Sequence, residues 1–394
     1  MKDETKITRL AIRTVEEILP EVTRIRHHLH QEPEIALKER DTAAFIRKTL
    51  SGLPLRLLDP LMETDVVALL EGGRPGPNVT LRADIDALPI QEKTGLPYQS
   101  RRPGMMHACG HDGHTAVVIG AAMVLSRMRE SMAGSVRFVF QPGEELAAAG
   151  KTLVERGAID DPPPAVVLAL HSWNGYPAGA IASRPGALLG AADFFKIRVI
   201  GKGTHASKPH QGTDPILAAA RVVETLNTIV SRRVDPLLPA VVSVCHIQGG
   251  TNANIIPESV EMEGTVRYLD PALIKEMPAY VEQTVRHVCA ANGARGEVEY
   301  DQRYIPTIND GAVVALAKDV AQKVLGAEAW IDQEHPSMGG EDFSFYLKKY
   351  PGAMCWLGMG EGGEPIHNPS FDFNDAALRN GILFLVAMAL RKLA

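Results

Sequence analysis

Histidine and cysteine are concentrated in one short segment, MHACGHDGH, which holds His107, Cys109, His111 and His114. Imidazole and thiolate are the side chains by which proteins most often bind zinc and neighbouring transition metals. A structural zinc knot, or a helix-start loop of hydrogen-bonded histidines, is the alternative interpretation. Structural zinc sites commonly use CxxC pairs, and the chain has none. The segment therefore favours a catalytic metal site.

Acids and histidines also follow the predicted strands. They come after apolar runs at 79–81, 136–140, 165–170 and 353–357, and they are Asp84, Asp86, Glu144, Glu145, His171 and His367. Ligands of open α/β sheets bind beyond the carboxyl ends of the strands, so these side chains are expected at one edge of a sheet. Taken singly, each would be a solvated acid or a hydrogen-bonded core histidine. Only their convergence would make a metal site.

Five side chains are candidate ligands: Cys109, His111, Glu145, His171 and His367. A catalytic zinc takes three protein ligands and a water, so five are too many for one ion. If one ligand bridges, each of two ions has three, and two ions about 3.5 to 4 Å apart can hold a hydroxide and polarise a carbonyl. Glu144 is then available as the general base and as the acid toward a leaving amine. Cys109 as a thiol nucleophile is the competing interpretation, but metal ligation accounts for more of its neighbours.

The hydrophobic pattern predicts the elements that must position these residues. Short apolar runs alternating with helical stretches predict an α/β domain with a largely parallel central sheet. From about residue 192 the predicted order becomes strand, helix, strand, strand, helix, strand, which is typical of a smaller α+β, ferredoxin-like domain. After residue 305 the first pattern resumes. We expect a discontinuous catalytic domain at 1–191 and 306–394, with the smaller domain inserted at 192–305.

Composition and charge exclude several classes of protein. The 394 residues carry 41 Lys and Arg against 47 Asp and Glu, a net charge of −6 without long runs of one sign, which argues against binding of nucleic acid or of an anionic membrane. The charged start MKDETKITRL lacks the apolar core of a secretory signal. The longest apolar run, at 381–390, is about half the roughly 20 residues that cross a bilayer. Four cysteines without a CxxC pair suit a reducing compartment, so we expect a cytoplasmic enzyme.

A series of motifs runs nearly from end to end of the chain. In order they are LRADIDALPI, MHACGHDGHT, FQPGEE, LHSW, GKGTHAS, GGTNANIIPESVEMEGTVR, MGGEDF and the late His367. With these motifs the chain resembles the hippurate hydrolase and N-acyl-amino-acid amidohydrolase group, relatives of aminoacylase and carboxypeptidase G. The resemblance implies metal-dependent hydrolysis of the amide bond of small N-acyl-L-amino acids, with acetyl or benzoyl acyl groups.

Other activities are compatible with the same motifs. An N-acetyldiaminopimelate-type deacetylase and a broad carboxypeptidase or dipeptidase would use the same chemistry. A non-catalytic, metal-containing module that binds acyl-amino acids belongs to a different class, and the intact Glu144 argues against it.

The resemblance also implies roles for the residues near the metal site. It implies two divalent ions on the five candidate ligands, with Cys109 as the bridge, Glu144 as the general base and Asp84 as an orienting residue. Arg82 stands where the aminoacylase branch has a metal-binding histidine. That departure fits a cysteine-containing branch in which His111 supplies the nitrogen ligand. Zinc, manganese, cobalt and nickel all suit such a mixed ligand set.

Three further roles fall in the inserted domain. The resemblance implies that His205 stabilises the tetrahedral oxyanion, often from a partner subunit, and that Asn254 and Arg267 hold the substrate carboxylate. It implies a homodimer or a higher homo-oligomer, with the insert acting as lid and dimerisation domain. From the residues alone, His205 would be a loop histidine and Arg267 a surface charge.

Overall fold

The computed structural model describes the backbone of residues 2–393 and the side chains of residues 8–393. The chain forms two compact units. The first contains the residues up to 188 together with 308–335 and those from 342 onwards, and the second contains 189–307 and 336–341.

Helices and strands alternate along most of the chain. The helices are α1 Lys2–Gln31, α2 Arg40–Leu50, α3 His111–Met128, α4 Glu144–Ala147, α5 Ala149–Glu155, α6 Pro215–Arg232, α7 Leu273–Ala291, α8 Gly311–Val324, α9 Ser344–Lys349 and α10 Ala376–Lys392. The strands are β1 Arg56–Leu57, β2 Val66–Glu71, β3 Arg74–Asp84, β4 Ala133–Gln141, β5 Pro164–Trp173, β6 Ile181–Ser183, β7 Gly186–Leu189, β8 Ala191–Ile200, β9 Thr204–His205, β10 Ala240–Gly249, β11 Ile255–Ile256, β12 Ser259–Tyr268, β13 Arg295–Tyr304, β14 Thr307–Asn309, β15 Trp330–Asp332 and β16 Gly352–Gly358.

The first unit is built on a mixed sheet in the order β1-β2-β4-β3-β5-β16-β6-β15. The four central strands, β4, β3, β5 and β16, are parallel to one another, whereas β2 and β6 join this centre in antiparallel pairings. The central strands are buried along most of their length, as expected for strands with helices packed against the sheet. Their carboxyl ends therefore open onto one common edge.

Helix α3 begins at His111, the second histidine of the MHACGHDGH segment. Gly110 precedes it in a left-handed conformation with φ of 85°, and a Cβ there would stand 2.5 Å from the hydroxyl oxygen of Ser172. Only glycine fits such a turn without strain or a clash. The chain thus turns directly from Cys109 into a helix.

The second unit holds a four-stranded antiparallel sheet in the order β10-β12-β8-β13. Along the chain its elements follow the order β8, α6, β10, β12, α7, β13. Buried and more accessible residues alternate along β12, as expected for a sheet with one face packed against helices. Helices α6 and α7 supply that apolar cover, and Asp214 caps the first turn of α6 through the backbone N–H groups of Ile216 and Leu217.

No helix in the described part of the chain combines the length and the apolar character needed to cross a lipid bilayer.

Candidate active site

The sequence-predicted residues of the first unit meet at the carboxyl edge of the central strands. Asp84 is the last residue of β3, Glu144 and Glu145 follow the end of β4, and His171 lies near the end of β5. Because β3, β4 and β5 are parallel, these ends lie on the same side of the sheet. The turn from Cys109 into α3 meets the end of β5, where the Ser172 hydroxyl donates to the carbonyl oxygen of Cys109 at 2.7 Å.

The five candidate ligands form two groups that share one residue. The ligand atoms of Cys109, His111 and His171 all lie within 4.8 Å of one another, and so do those of Cys109, Glu145 and His367. Within these groups the Cys109 sulfur is 3.5 Å from Nε2 of His171, and Nε2 of His367 is 3.2 Å from Oε1 of Glu145. This arrangement places three candidate ligands in each of two groups, with Cys109 common to both.

Two of the histidines are oriented by backbone carbonyls. Nδ1 of His111 donates to the carbonyl oxygen of Asp86 at 2.9 Å, and Nδ1 of His171 donates to the carbonyl oxygen of Ser172 at 2.8 Å. This tautomer leaves Nε2 of each ring with a lone pair, the usual arrangement behind a metal-binding imidazole. Nε2 of His111 is buried and has no hydrogen-bond partner among the described residues. A cation between these rings would satisfy that atom.

His114 differs from its neighbours because both of its ring nitrogens are engaged. Nδ1 lies 2.7 Å from Oδ1 of Asp84, and Nε2 accepts the backbone N–H of Ser172 at 2.7 Å. The ring lies close enough to Asp84 and His111 for a third metal group. With both nitrogens committed, however, His114 has no lone pair left for a metal. It connects the ends of β3 and β5.

The adjacent acids lie at the start of a short helix rather than on the strand. The sequence predicts that Glu144 and Glu145 follow the strand at 136–140; in the structure they come after β4 and form the first turn of α4. Gly143, with φ of 61°, ends the extended chain just before them. The side chain of Asp86 accepts both of their backbone N–H groups at 3.0 Å. Glu144 is buried, and its carboxylate lies within 4.8 Å of the ligand atoms of Glu145 and His111.

The electrostatics of this cluster suit divalent cations. Burial and the charges of Glu145 and Glu144 raise the pKa of the Cys109 thiol well above its usual value. Burial lowers the pKa of His111, but the carboxylates of Asp84 and Asp86 more than offset this and raise it to about 10. Burial lowers the pKa of His171 to about 4, which keeps that ring neutral near neutral pH. Cations bound here would offset the carboxylate charge and deprotonate the thiol, so the residues fit a two-metal site.

Arg82 is buried next to this cluster, in contact with Asp84. Its guanidinium contacts Asp84 at 2.6 Å and Asp342 at 2.7 Å, and its Nε donates to Gln141 at 3.1 Å. All of these side chains are almost completely buried. Burial raises the pKa of Asp84, but the positive charges of His111, Arg82 and His114 more than offset this and hold it well below its usual value. Arginine at this position is therefore a fixed positive charge paired with two buried carboxylates.

The remaining predicted residues belong to the second unit. His205 is exposed on β9, where its Nδ1 accepts the hydroxyl of Ser207 at 2.8 Å, and the carbonyl oxygen of Asn254 accepts the backbone N–H of Ala206 at 2.9 Å. The His205 and Asn254 segments are thus neighbours. Arg267 is half-buried on β12, and its Nε donates to the Thr265 hydroxyl at 3.0 Å.

Sequence reasoning did not identify Glu39, a buried acid that accepts the backbone N–H of Gly143 at 2.9 Å. It lies at the start of α2, far in sequence from every motif that carries chemistry. Its sequence context, a charged stretch before a helix, carries no signal of a contact with residues more than a hundred positions away.

Comparison with known proteins identifies a matching family model and similar proteins. Residues 80–391 match the family model described as peptidase family M20/M25/M40. An N-acetyl-L-cysteine deacetylase of Bacillus subtilis is 39% identical over 369 residues, which cover 94% of this chain and 87% of that protein. An N-acyl-L-amino acid amidohydrolase of Geobacillus stearothermophilus is 43% identical over 75% of this chain and 80% of its own length.

A solved structure resembles the whole molecule. The YXEP protein of Bacillus subtilis, described as a dinuclear metal binding peptidase, is 34% identical, with a TM-score of 0.84 over 96% of this chain and 99% of that one.

Proposed function

Because the chain belongs to peptidase family M20/M25/M40, we propose that it is a two-metal amidohydrolase that removes the acyl group from N-acyl-L-amino acids. The relatives named as a deacetylase and as an N-acyl-L-amino acid amidohydrolase support this choice of substrate. The observation that carries the proposal is the pair of ligand groups that share Cys109. Three ligands for each of two ions is the number expected of a hydrolytic dimetal site.

The ligands of one ion would be Cys109, His111 and His171, and those of the other would be Cys109, Glu145 and His367. Zinc, manganese, cobalt and nickel all accept such a set of sulfur, nitrogen and carboxylate donors. When bound, the ions would supply an acidified water and a Lewis acid for the amide carbonyl. Asp84 acts through His114, whose ring it orients beside the ligands.

Glu144 is proposed as the proton carrier. Its carboxylate takes a proton from the attacking water, so that the C–O bond forms at the amide carbon. Glu144 then gives that proton to the amide nitrogen as the C–N bond breaks, and the products are a carboxylic acid and a free amino acid. The capping of its backbone N–H by Asp86 holds this side chain at the ligand cluster throughout.

The second unit is proposed to recognise the substrate. The exposed His205 is assigned to the tetrahedral oxyanion, and Asn254 and Arg267 to the substrate carboxylate, because a guanidinium fork matches a carboxylate. We further propose that residues 192–305 act as lid and dimerisation domain of a homodimer. The Cys109 thiolate that the ions require stays reduced in the cytoplasm, where we place the enzyme.

The decisive experiment combines metal analysis with a hydrolysis panel. Purified protein is assayed for bound metal and then tested on acetyl-, benzoyl- and indoleacetyl-amino acids and on dipeptides, with and without a chelator. We expect two ions per chain and chelator-sensitive release of free amino acid from at least one N-acyl amino acid. Faster cleavage of dipeptides would indicate a peptidase. Failure of the metal-loaded protein on every member of the panel would refute the proposed activity.

A further inference from the structure

The turn that carries Glu144 is too short to hold its own shape. Helix α4 has four residues, fewer than an isolated helix needs to offset the cost of its first turn. It lies between two left-handed residues, Gly143 at φ of 61° and Ala148 at φ of 46°, and the second of these is not a glycine. The position of Glu144 therefore depends on contacts made from outside the helix.

Two buried carboxylates supply those contacts. Three consecutive backbone N–H groups point at them: Gly143 donates to Glu39 at 2.9 Å, and the next two residues donate to Asp86 at 3.0 Å each. Asp86 comes from the segment that follows β3, whereas Glu39 comes from the turn between α1 and α2. The N-terminal part of the chain, which precedes the residues matched by the family model, thus reaches the catalytic turn.

The Glu39 side chain makes this contact instead of capping its own helix, α2. Glu39 occupies the N-cap position of α2 but makes no capping hydrogen bond there. Its Oε1 instead accepts the N–H groups of Leu37 and Gly143, both at 2.9 Å, and its Oε2 accepts the Thr64 hydroxyl at 3.0 Å. Leu37 itself adopts φ of 62°, and its side chain packs against Gly143. A strained non-glycine residue beside a buried acid indicates a contact that the fold retains despite its cost.

Burial is costly for this carboxyl group. The side chain is completely buried, and burial together with the charge of Asp86 raises the pKa of Glu39 to about 7. An apolar residue would fill the same space without that penalty. What an apolar residue cannot do is accept the N–H group of Gly143.

We propose that Glu39 is a positioning residue of the active site: its carboxylate holds the Gly143 peptide, and through it sets the position at which Glu144 meets the reacting atoms. The inference rests on the proposed function for its catalytic consequence. Its structural content, a hydrogen bond that orders residues 143–147, is independent of any substrate.

Three variants test the proposal. Glu39→Leu keeps the volume but removes the acceptor, and Glu39→Gln restores an acceptor oxygen together with a group that can donate to Thr64. Glu34→Leu is the matched control, because Glu34 is a buried acid nearby whose carboxylate accepts the backbone N–H and hydroxyl of Thr42 and pairs with Arg102. The backbone N–H groups of residues 143–145 donate to Glu39 and Asp86 instead.

The first measurement is amide hydrogen exchange of the metal-free proteins by mass spectrometry. In Glu39→Leu we expect the peptide that spans 143–147 to exchange about tenfold faster or more, because local opening of the turn then breaks one hydrogen bond fewer and costs less free energy. Glu39→Gln should restore most of the protection, and Glu34→Leu should leave this peptide at the wild-type rate. Unchanged exchange of the turn in Glu39→Leu, or equal acceleration in Glu34→Leu, would overturn the proposal.

The second measurement is steady-state hydrolysis by the metal-loaded enzymes. We expect Glu39→Leu to lower kcat by about 10- to 100-fold with little change in KM and with bound metal retained, since a misplaced catalytic group affects the chemical step. If Glu39→Leu does not fold, Thr64→Val removes one of the donors that hold Glu39 and should show the same changes in smaller measure. A wild-type enzyme that is inactive on every substrate would refute the proposed function, while the exchange result would still decide the role of Glu39.

Discussion

His114 is joined to Asp84 by a hydrogen bond of 2.7 Å between Nδ1 and Oδ1, in the interior of the first unit. The opposite nitrogen of the same ring accepts the N–H of Ser172. Ser172 in turn donates its hydroxyl to the carbonyl oxygen of Cys109 and adjoins His171. One imidazole therefore connects two strand ends and, through Ser172, the turn that carries Cys109, the candidate ligand common to both groups.

We predict that His114→Leu weakens metal binding without removing a ligand. The variant removes the hydrogen bond to Oδ1 of Asp84 and the acceptor of the Ser172 N–H, so the neighbouring residues are less firmly positioned, and a loss of about 10- to 100-fold in metal affinity is expected. Competition with a chromogenic chelator measures it. Ser126→Ala, which changes a buried polar residue elsewhere on α3, should retain wild-type affinity. A His114 variant with unchanged affinity would show that the ring has no part in supporting the site.

A second prediction concerns the ligand common to both groups. Cys109→Ser should lower the bound metal from two ions per chain toward none, because both positions lose the same ligand. Cys109→Asp should keep both ions, since a carboxylate has two oxygens with which to bridge. Elemental analysis after gel filtration measures the content. Cys355→Ser is the control, because Cys355 is equally buried on β16 but lies outside both groups. Loss of only one ion from Cys109→Ser would mean that the sulfur serves one position.

Glu144→Gln should separate catalysis from metal binding. The amide keeps the size of the side chain but cannot accept the proton of water, so kcat should fall by about 100- to 10,000-fold while both ions stay bound. Hydrolysis of the best substrate from the panel and elemental analysis of the same sample give the two values. Glu155→Gln, at the exposed end of α5, should behave as the wild type. Turnover near the wild-type rate in Glu144→Gln would remove this residue from the mechanism.

We predict that the buried ion pairs of Arg82 contribute to the free energy of unfolding. Arg82→Met leaves Asp84 and Asp342 buried without their cation, and the free energy of unfolding should fall by about 3–5 kcal/mol. Adding Asp342→Asn should recover part of this loss, because one uncompensated charge is removed. Urea titration of each protein measures the effect. Arg40→Met, which breaks an exposed pair with Glu63, should cost less than about 1 kcal/mol. A similar small cost for Arg82→Met would contradict the assigned role.

Because His30 titrates, the free energy of unfolding should depend on pH between neutral and alkaline values. Burial lowers its pKa, but Asp112 at 2.9 Å and Glu92 at 3.3 Å more than offset this and raise it from 6.5 to about 9. A raised pKa means that the stabilisation is complete below pH 6.5 and is lost as the pH rises to about 9. For the wild type we expect a loss of about 3 kcal/mol from this group between those values.

His30→Asn removes the titrating ring, so its unfolding free energy should fall less over the same range. The comparison uses urea titrations of the metal-free proteins at pH 6 and pH 9.5, and every other titrating group is common to both. Parallel pH profiles would show that His30 does not carry this dependence.

The sequence alone determined the family, the chemistry and most of the elements. The apolar runs that predict β4 and β5 lie within strands of the structure, and the family resemblance is confirmed by the match over residues 80–391. Such features are readable because a buried strand needs a local run of apolar side chains and a metal needs particular donor atoms. The roles of Asn254, Arg267 and His205 remain predictions.

Tertiary structure decided which candidate site residues lie close together, and which of them already use their polar atoms in hydrogen bonds. His111 and His114 are the same residue type three positions apart, yet His111 has a buried Nε2 without a hydrogen-bond partner among the described residues, whereas both ring nitrogens of His114 are bonded. Glu39 reaches Gly143 across more than a hundred residues of chain. Hydrogen bonds between segments that are distant in sequence depend on how the strands and helices pack, and no local pattern of residue types encodes that packing.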